Sequence, residues 1–373
     1  MRKLSDAVAH LAAMRTAMAG PPLSTQDDRL HDLEDFGSNP GNLRARIYVP
    51  DGQNGRSALV VVLHGCTQTA AGYNVGSGWS RLANEHGFTL LFPEQRRTNN
   101  PNLCFNWFSP EDTMRDGGEA LSIRQMVATL TRDHRIDPAR IFVTGLSAGG
   151  AMACVMLATY PEVFSGGAII AGLPFGCASS VPEALDRMRG HGGAAPGELG
   201  AAVRRASAHQ GPWPTISVWH GTADTTVSPA NAEAIIAQWR SVHAIDEAPS
   251  TSTIVDGHQR RAWRDAAGRE VIEAYRISGM GHGTPLDALG DDGCGAAGPY
   301  MLQANISSTQ RIAAFWGLTD DKAAVPKQRA ELLVPAAGEQ TQRPGEAPPK
   351  QATSGGGVQG MIEGALRAAG LMR

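Results

Sequence analysis

Residues 142–156 read FVTGLSAGGAMACVM. A short β-branched and aromatic run (Arg140 to Thr144) stops at Gly145, and a small, Ala-rich stretch suited to a helix begins after Ser147. One reading is purely structural. Small residues let a strand turn tightly into a helix, and Ser147 caps the helix by accepting from a free backbone N–H of its first turn. The other reading is chemical. Gly145-Leu146-Ser147-Ala148-Gly149 is G-x-S-x-G, a strained turn that lifts a serine oxygen above the edge of a sheet. The helix that follows then points free N–H groups and a positive dipole end at the reacting atom. A strand before the motif and a helix after it make the second reading the sharper expectation.

The pattern around this stretch alternates strand and helix. Strands are predicted at 45–50, 58–65, 88–94, 140–144, 166–172, 215–221 and 270–278. Helices are predicted at 79–87, 117–134, 228–242 and 307–318, with Ser228 capping the third and Pro229 at its first position. ALVVVLHG (58–65) is continuously apolar, as expected of a strand buried on both faces of a parallel sheet. Repeated β-α-β units predict the α/β class, a mostly parallel central sheet with helices on both faces. Ligands on such sheets sit beyond the carboxyl ends of the strands. Segment 178–212 shows no strand and is expected to be a helical insertion over that rim.

The organisation expected from the chain is fourfold: an N-terminal helix and lead-in (1–41), a catalytic domain (42–318), a flexible linker (319–357) and a C-terminal amphipathic helix (358–373). The linker contains GEQTQRPGEAPPKQATSGGG, too polar and too rich in Pro and Gly to pack. The last segment places Val358, Met361, Ile362, Ala365, Ala369 and Met372 on one face, fit to dock on a polymer granule or a second copy. A formal net charge of −3 gives no electrostatic case for nucleic acid. No apolar run is long enough to span a bilayer. Ala17-Met18-Ala19 resembles a signal-cleavage triplet, but Asp6, His10 and Arg15 interrupt the apolar run before it, so a cytoplasmic protein is expected.

A serine needs a base, and the base needs a carboxylate to hold its tautomer. On sheets of this kind the chain order is serine, acid, histidine. SVWHGTADTTVSP supplies Asp224, just past a strand, and YRISGMGHGTP supplies His282, between glycines after the last strand. His220 lies too close in sequence to Asp224 to be the base, and Asp287, Asp291 and Asp292 follow His282 and break the order. His86 and His134 fall at helix ends, where a favourable dipole is reason enough for them. The oxyanion needs two N–H donors. Ala148 follows the nucleophile and supplies one; Cys66, in the loop after the buried strand 58–65, supplies the other, with Thr67 in reserve and His64 read as structural. No His or Cys spacing suggests a metal site, and no cofactor is called for.

Of the five cysteines, Cys154 reads as a buried small hydrophobe, while Cys66, Cys104, Cys177 and Cys294 fall in loops beyond strand ends. Cys66 and Cys104 follow strand-like runs toward the same rim, so a bridge between them is one possible pairing. A reducing cytoplasm argues against it, and the sequence does not decide.

The motifs LHGCTQ (63–68), CFNWF (104–108), RDGGEALSIRQM (115–126), GLSAGGAM (145–152), WHGTADTTV (219–227) and GMGHGTP (279–285) together resemble the polyhydroxybutyrate depolymerase family of esterases, relatives of feruloyl and acetylxylan esterases in the α/β-hydrolase fold. The likeness extends over about residues 42–318. It implies a serine esterase with Ser147, Asp224 and His282 as its triad, acting on poly- or oligo-(3-hydroxybutyrate) or related short-chain esters. It also implies that Trp107 and Phe105 line the ester-binding rim, and it makes secretion the alternative compartment. A carbohydrate esterase is the neighbouring enzymatic expectation, and a granule-surface binding protein on the same scaffold the non-enzymatic one. GMGHGTP departs from the His-Ala-Trp-Pro form of secreted members.

Overall fold

The computed structural model describes residues 29–52, 55–289 and 293–319. The expected N-terminal helix, linker and C-terminal helix lie outside them. Twelve strands and nine helices are formed among the described residues. In chain order the first part comprises β1 (His31–Asp32), β2 (Arg44–Tyr48), β3 (Ser57–Leu63), α1 (Ala70–Ser77), α2 (Trp79–His86), β4 (Thr89–Glu94), α3 (Pro110–Thr113), α4 (Gly118–Asp133), β5 (Ile136–Leu146) and α5 (Ala148–Thr159). The second part comprises β6 (Gly166–Ile170), α6 (Val181–Met188), α7 (Pro196–Arg205), β7 (Thr215–Gly221), α8 (Ala230–His243), β8 (Thr251–Val255), β9 (His258–Arg264), β10 (Glu270–Ile277), β11 (Thr284–Leu286), β12 (Met301–Gln303) and α9 (Ser308–Phe315).

Ten strands form one sheet in the order β1-β2-β4-β3-β5-β6-β7-β10-β9-β8. The run from β4 to β10 is parallel, and antiparallel pairs close both edges. β3 is buried along its whole length, as the apolar run Ala58 to Leu63 requires. Two apolar clusters pack against the sheet, one containing Leu63, Met126, Met152 and Trp239, the other Trp79, Trp219, Ile312 and Trp316. No helix among the described residues is long and apolar enough to cross a membrane.

Several details differ from the expected pattern, while segment 178–212 is helical, as expected. Lead-in residues 29–41 join the domain: β1 pairs with β2, and Leu30 and Phe36 are buried. The antiparallel hairpin β8–β9 was not anticipated. Segment 178–212 holds two helices, α6 and α7, and α7 packs on α8. Helix α8 starts at Ala230 with Pro229 in the cap position, although Ser228 still receives the Asn231 N–H through its carbonyl at 2.9 Å.

Candidate active site

Ser147 sits between β5 and α5 with φ 57° and ψ −119°. A β-carbon-bearing residue avoids this region unless its surroundings hold it there. The Ser147 N–H donates to the Ile170 carbonyl at 2.9 Å, and the Ser147 carbonyl accepts from the Ala151 N–H at 2.9 Å. The side chain makes no capping bond, so the purely structural reading of this serine gives way. The neighbouring glycines permit close approach. A β-carbon on Gly149 would lie 2.4 Å from the Leu63 carbonyl oxygen and 2.5 Å from that of His64. The first turn of α5 therefore rests directly behind the loop that leaves β3.

That loop is held on several sides. The His64 ring donates from Nδ1 to the Gly65 carbonyl at 2.8 Å and accepts the Gln95 N–H at Nε2 at 3.1 Å. The Gln68 side-chain oxygen accepts the Gly65 N–H at 2.9 Å. The Thr67 N–H is spent on the Asn102 carbonyl at 2.6 Å, which removes Thr67 as an oxyanion donor. A disulfide joins Cys66 to Cys104, the pairing the sequence left open, while Cys154, Cys177 and Cys294 are free thiols. Behind it, Gln95 donates through its side-chain amide to the Cys104 carbonyl at 3.0 Å and to buried Glu119 at 2.5 Å. With its neighbours so engaged, the Cys66 N–H finds no acceptor among the described residues, and Ala148 opens the helix with an N–H that has no intrahelical partner.

Asp224 follows β7 and His282 follows β10, and those two strands pair in parallel from Ile216↔Ile272 to Gly221↔Ile277. The sheet thus brings together two loops far apart in sequence. The Asp224 Oδ1 accepts the N–H groups of Thr226 and Val227 at 2.8 and 2.9 Å. Its Oδ2 accepts from His282 Nδ1 at 2.7 Å. With a carboxylate as its partner, Nδ1 carries the ring proton and Nε2 keeps its lone pair. Burial alone would raise the Asp224 pKa, but hydrogen bonds from His220 and His282 outweigh it and hold the carboxyl well below its ordinary range.

His220 is more than the discarded rival that the sequence made of it. Its Nε2 lies 2.9 Å from the Val227 carbonyl and 3.3 Å from Asp224 Oδ2, so it braces the acid. The turn between strand and acid folds a four-residue separation back into contact, which the spacing alone did not show.

Ser147 and His282 line one shallow cleft of about 10 Å³ together with Gly65, Cys66, Gln68, Leu146 and Tyr300. A larger hollow, about 530 Å³, lies between Arg56, Thr131 and Arg135 at the amino ends of β3 and β5, away from these residues. Trp107 and Phe105, expected on the rim, are not among the residues that border this cleft. Phe105 is wholly buried, with its ring 5.0 Å from His64, and Trp107 is buried edge-to-face with Phe108. The bonds from Gln95 to Cys104 and from the Asn106 N–H to Glu119 (2.9 Å) draw this segment inward. Tyr300 and Gln68 border the cleft instead.

A parallel sheet with a serine on a strained strand-to-helix turn, and an Asp–His pair at the ends of the strands that follow, defines an α/β-hydrolase. The chain belongs to the Esterase PHB depolymerase family, whose sequence profile matches residues 43–261, and it is a carboxylic ester hydrolase. It is 47% identical over 291 residues to poly(3-hydroxyalkanoate) depolymerase C of Paucimonas lemoignei, a match covering 78% of this chain and 70% of that protein. It is 32% identical over 274 residues to an acetylxylan esterase of Coprinopsis cinerea, covering 71% and 72%. Among solved structures it resembles the acetyl xylan esterase from Aspergillus awamori, with a TM-score of 0.66 and 25% identity over 78% of this chain and 99% of that one.

Proposed function

We propose that the chain hydrolyses esters of 3-hydroxyalkanoates, polymeric or oligomeric, through an acyl-enzyme on Ser147. The single observation that carries the mechanism is the 2.7 Å bond from His282 to Asp224 at the cleft that also holds Ser147. His282 Nε2 takes the serine proton as Oγ attacks the ester carbonyl. The Cys66 and Ala148 N–H groups receive the oxyanion. His282 then protonates the departing alcohol, and in the second half-reaction it activates water to release the acid. Asp224 holds the imidazole tautomer throughout.

The substrate class is supported by the 47% identity to a poly(3-hydroxyalkanoate) depolymerase. A carbohydrate esterase is the second reading, favoured by the acetylxylan esterase relatives in sequence and structure. Turnover measured across 3-hydroxybutyrate oligomers, amorphous polymer, acetylxylan and methyl ferulate separates the two. Ser147→Ala and His282→Ala should each abolish turnover of 4-nitrophenyl butyrate, and the double variant should be little worse than either single one. Near-normal turnover by Ser147→Ala sinks the mechanism.

The Cys66–Cys104 bridge supports the secreted alternative over a reducing cytoplasm. Alkylation of native protein before reduction tests this: labelled thiols at both positions would restore the cytoplasmic expectation. Attachment to polymer granules or to a second copy through residues 358–373 belongs to the same proposal. A granule-pelleting assay and a mass measurement with and without residues 320–373 check it.

A further inference from the structure

Tyr300 was not singled out from the sequence, yet it stands at the cleft with Ser147 and His282. Its ring meets the His282 imidazole edge to face, with centroids 6.1 Å apart and planes at 76°. Its backbone is left-handed, φ 61°, an unfavourable conformation for a bulky residue. The short parallel pair β11–β12 holds it there. The Thr284 N–H, two residues past His282, donates to the Tyr300 carbonyl at 2.8 Å, and a β-carbon on Gly283 would lie 2.7 Å from that same oxygen. The loop that carries His282 is thereby fastened to the residue that faces it. The phenol oxygen has no hydrogen-bond partner among the described residues, and burial alone raises its pKa. A phenol O–H open to the cleft, with no protein partner and held on a strained backbone beside a histidine, is free to bond a ligand there.

The side of the cleft on which Tyr300 stands follows from the chemistry. The ester carbon is bonded to Ser147 Oγ in the intermediate, and the bond that breaks is the one to the alcohol oxygen. The proton that leaves with that oxygen comes from His282, so the alcohol must depart within reach of the imidazole. Tyr300 packs on the imidazole and therefore faces the alcohol half of the substrate, not the acyl half. In a 3-hydroxyalkanoate chain this alcohol is the 3-hydroxyl of the next unit. That unit carries its own carbonyl two carbons from the departing oxygen, whereas a plain alkyl alcohol carries none.

We propose that Tyr300 is a specificity-determining residue whose hydroxyl donates to the carbonyl of the leaving hydroxyacyl unit, selecting esters whose alcohol is itself a 3-hydroxy acid or its ester. This rests on the esterase reading of the same cleft and names the half of the substrate that the cleft reads.

Two substrates that share one acyl group test it. One is the methyl ester of the linear 3-hydroxybutyrate dimer, cleaved at its internal ester. The other is sec-butyl 3-hydroxybutyrate, whose alcohol has the same branched carbon but no carbonyl. The wild-type chain should prefer the dimer in kcat/KM. Tyr300→Phe keeps the ring, the contact with His282 and the backbone strain, and removes only the oxygen. It should lower the dimer-to-sec-butyl ratio about tenfold, the scale of one neutral hydrogen bond, with an unchanged melting temperature. An equal loss on both substrates, or an unchanged ratio, overturns the role of the hydroxyl while the esterase reading stands. A wild-type chain inactive on both substrates and on 4-nitrophenyl butyrate overturns the esterase reading itself, and this inference with it.

Discussion

Replacing Cys104 by serine opens the bridge to Cys66 and leaves the Cys66 backbone in place. The bridged residues are 38 apart in sequence. For a loop of that length the chain-entropy relation gives about 13 cal/mol/K of lost denatured-state entropy, or about 4 kcal/mol at 25 °C. At about 2 cal/mol/K of unfolding entropy per residue in a domain of this size, that is a fall of roughly 7 °C in melting temperature. Activity should fall as well, because the bridge anchors the loop that bears the proposed oxyanion donor. The loss should stay well short of removing a donor outright, which costs about a hundredfold or more in kcat. Three other contacts still hold the loop: His64 to the Gly65 carbonyl, Gln68 to the Gly65 N–H, and the Thr67 N–H to Asn102. Guanidinium unfolding followed by tryptophan fluorescence, with kcat on 4-nitrophenyl butyrate, measures both effects. Dithiothreitol should reproduce them in the wild-type chain and do nothing further to Cys104→Ser. Equal unfolding midpoints for the oxidised wild-type chain and the variant would refute the reasoning.

Gly149→Ala should destabilise the chain and silence it, because the new methyl meets two backbone oxygens at 2.4 and 2.5 Å rather than any side chain that can swing away; thermal unfolding and kcat check this. Gln68→Ala releases the Gly65 N–H and should lower kcat about tenfold with little change in KM, a split readable in steady-state kinetics. Burial, with the Asp112 charge adding to it, pushes the Glu119 carboxyl up to about 8 from an ordinary 4.5. The native chain therefore holds a proton that the unfolded chain releases. The stabilising contribution is full below about pH 4.5 and is lost as pH rises toward 8. Urea midpoints from pH 5 to about 8.5 should show that slope in the wild-type chain and lose it in Glu119→Gln.

The strands legible in the sequence are those buried on both faces. β3 and the end of β5 are predominantly apolar because both faces of each are covered. The hairpin β8–β9 was illegible for the opposite reason. β8 is mostly exposed, and β9 carries Arg260 and Arg261, which no apolar alternation accommodates. Their charge is balanced only in three dimensions. Arg260 pairs with Glu270 at 2.5 Å and Glu273 at 3.0 Å across the β9–β10 ladder, and Arg261 with Glu233 on α8 at 2.7 Å.

The same division runs through the site. Ser147, Asp224 and His282 were legible as candidates because each stands at a strand end whose place in the sheet is fixed by buried, apolar pairing. Cys66 was legible as a candidate donor because the strand before it is unmistakable. The burial of Phe105 and Trp107 was not legible because an aromatic in a rim loop reads the same whether it faces solvent or the core. What turns them inward is a set of polar anchors, Gln95 to Cys104 and Glu119 to Asn106, drawn from a strand end and a helix start distant in sequence. Tyr300 carried no signal because its place depends on β11 and β12, three residues each, paired in parallel across the loop that follows His282. Strands that short have too little periodicity to be read. A residue placed by such a pair can change without disturbing the sheet beneath it. On this scaffold the chemistry is set by long buried strands, and the choice of leaving alcohol by a short strand pair laid over them.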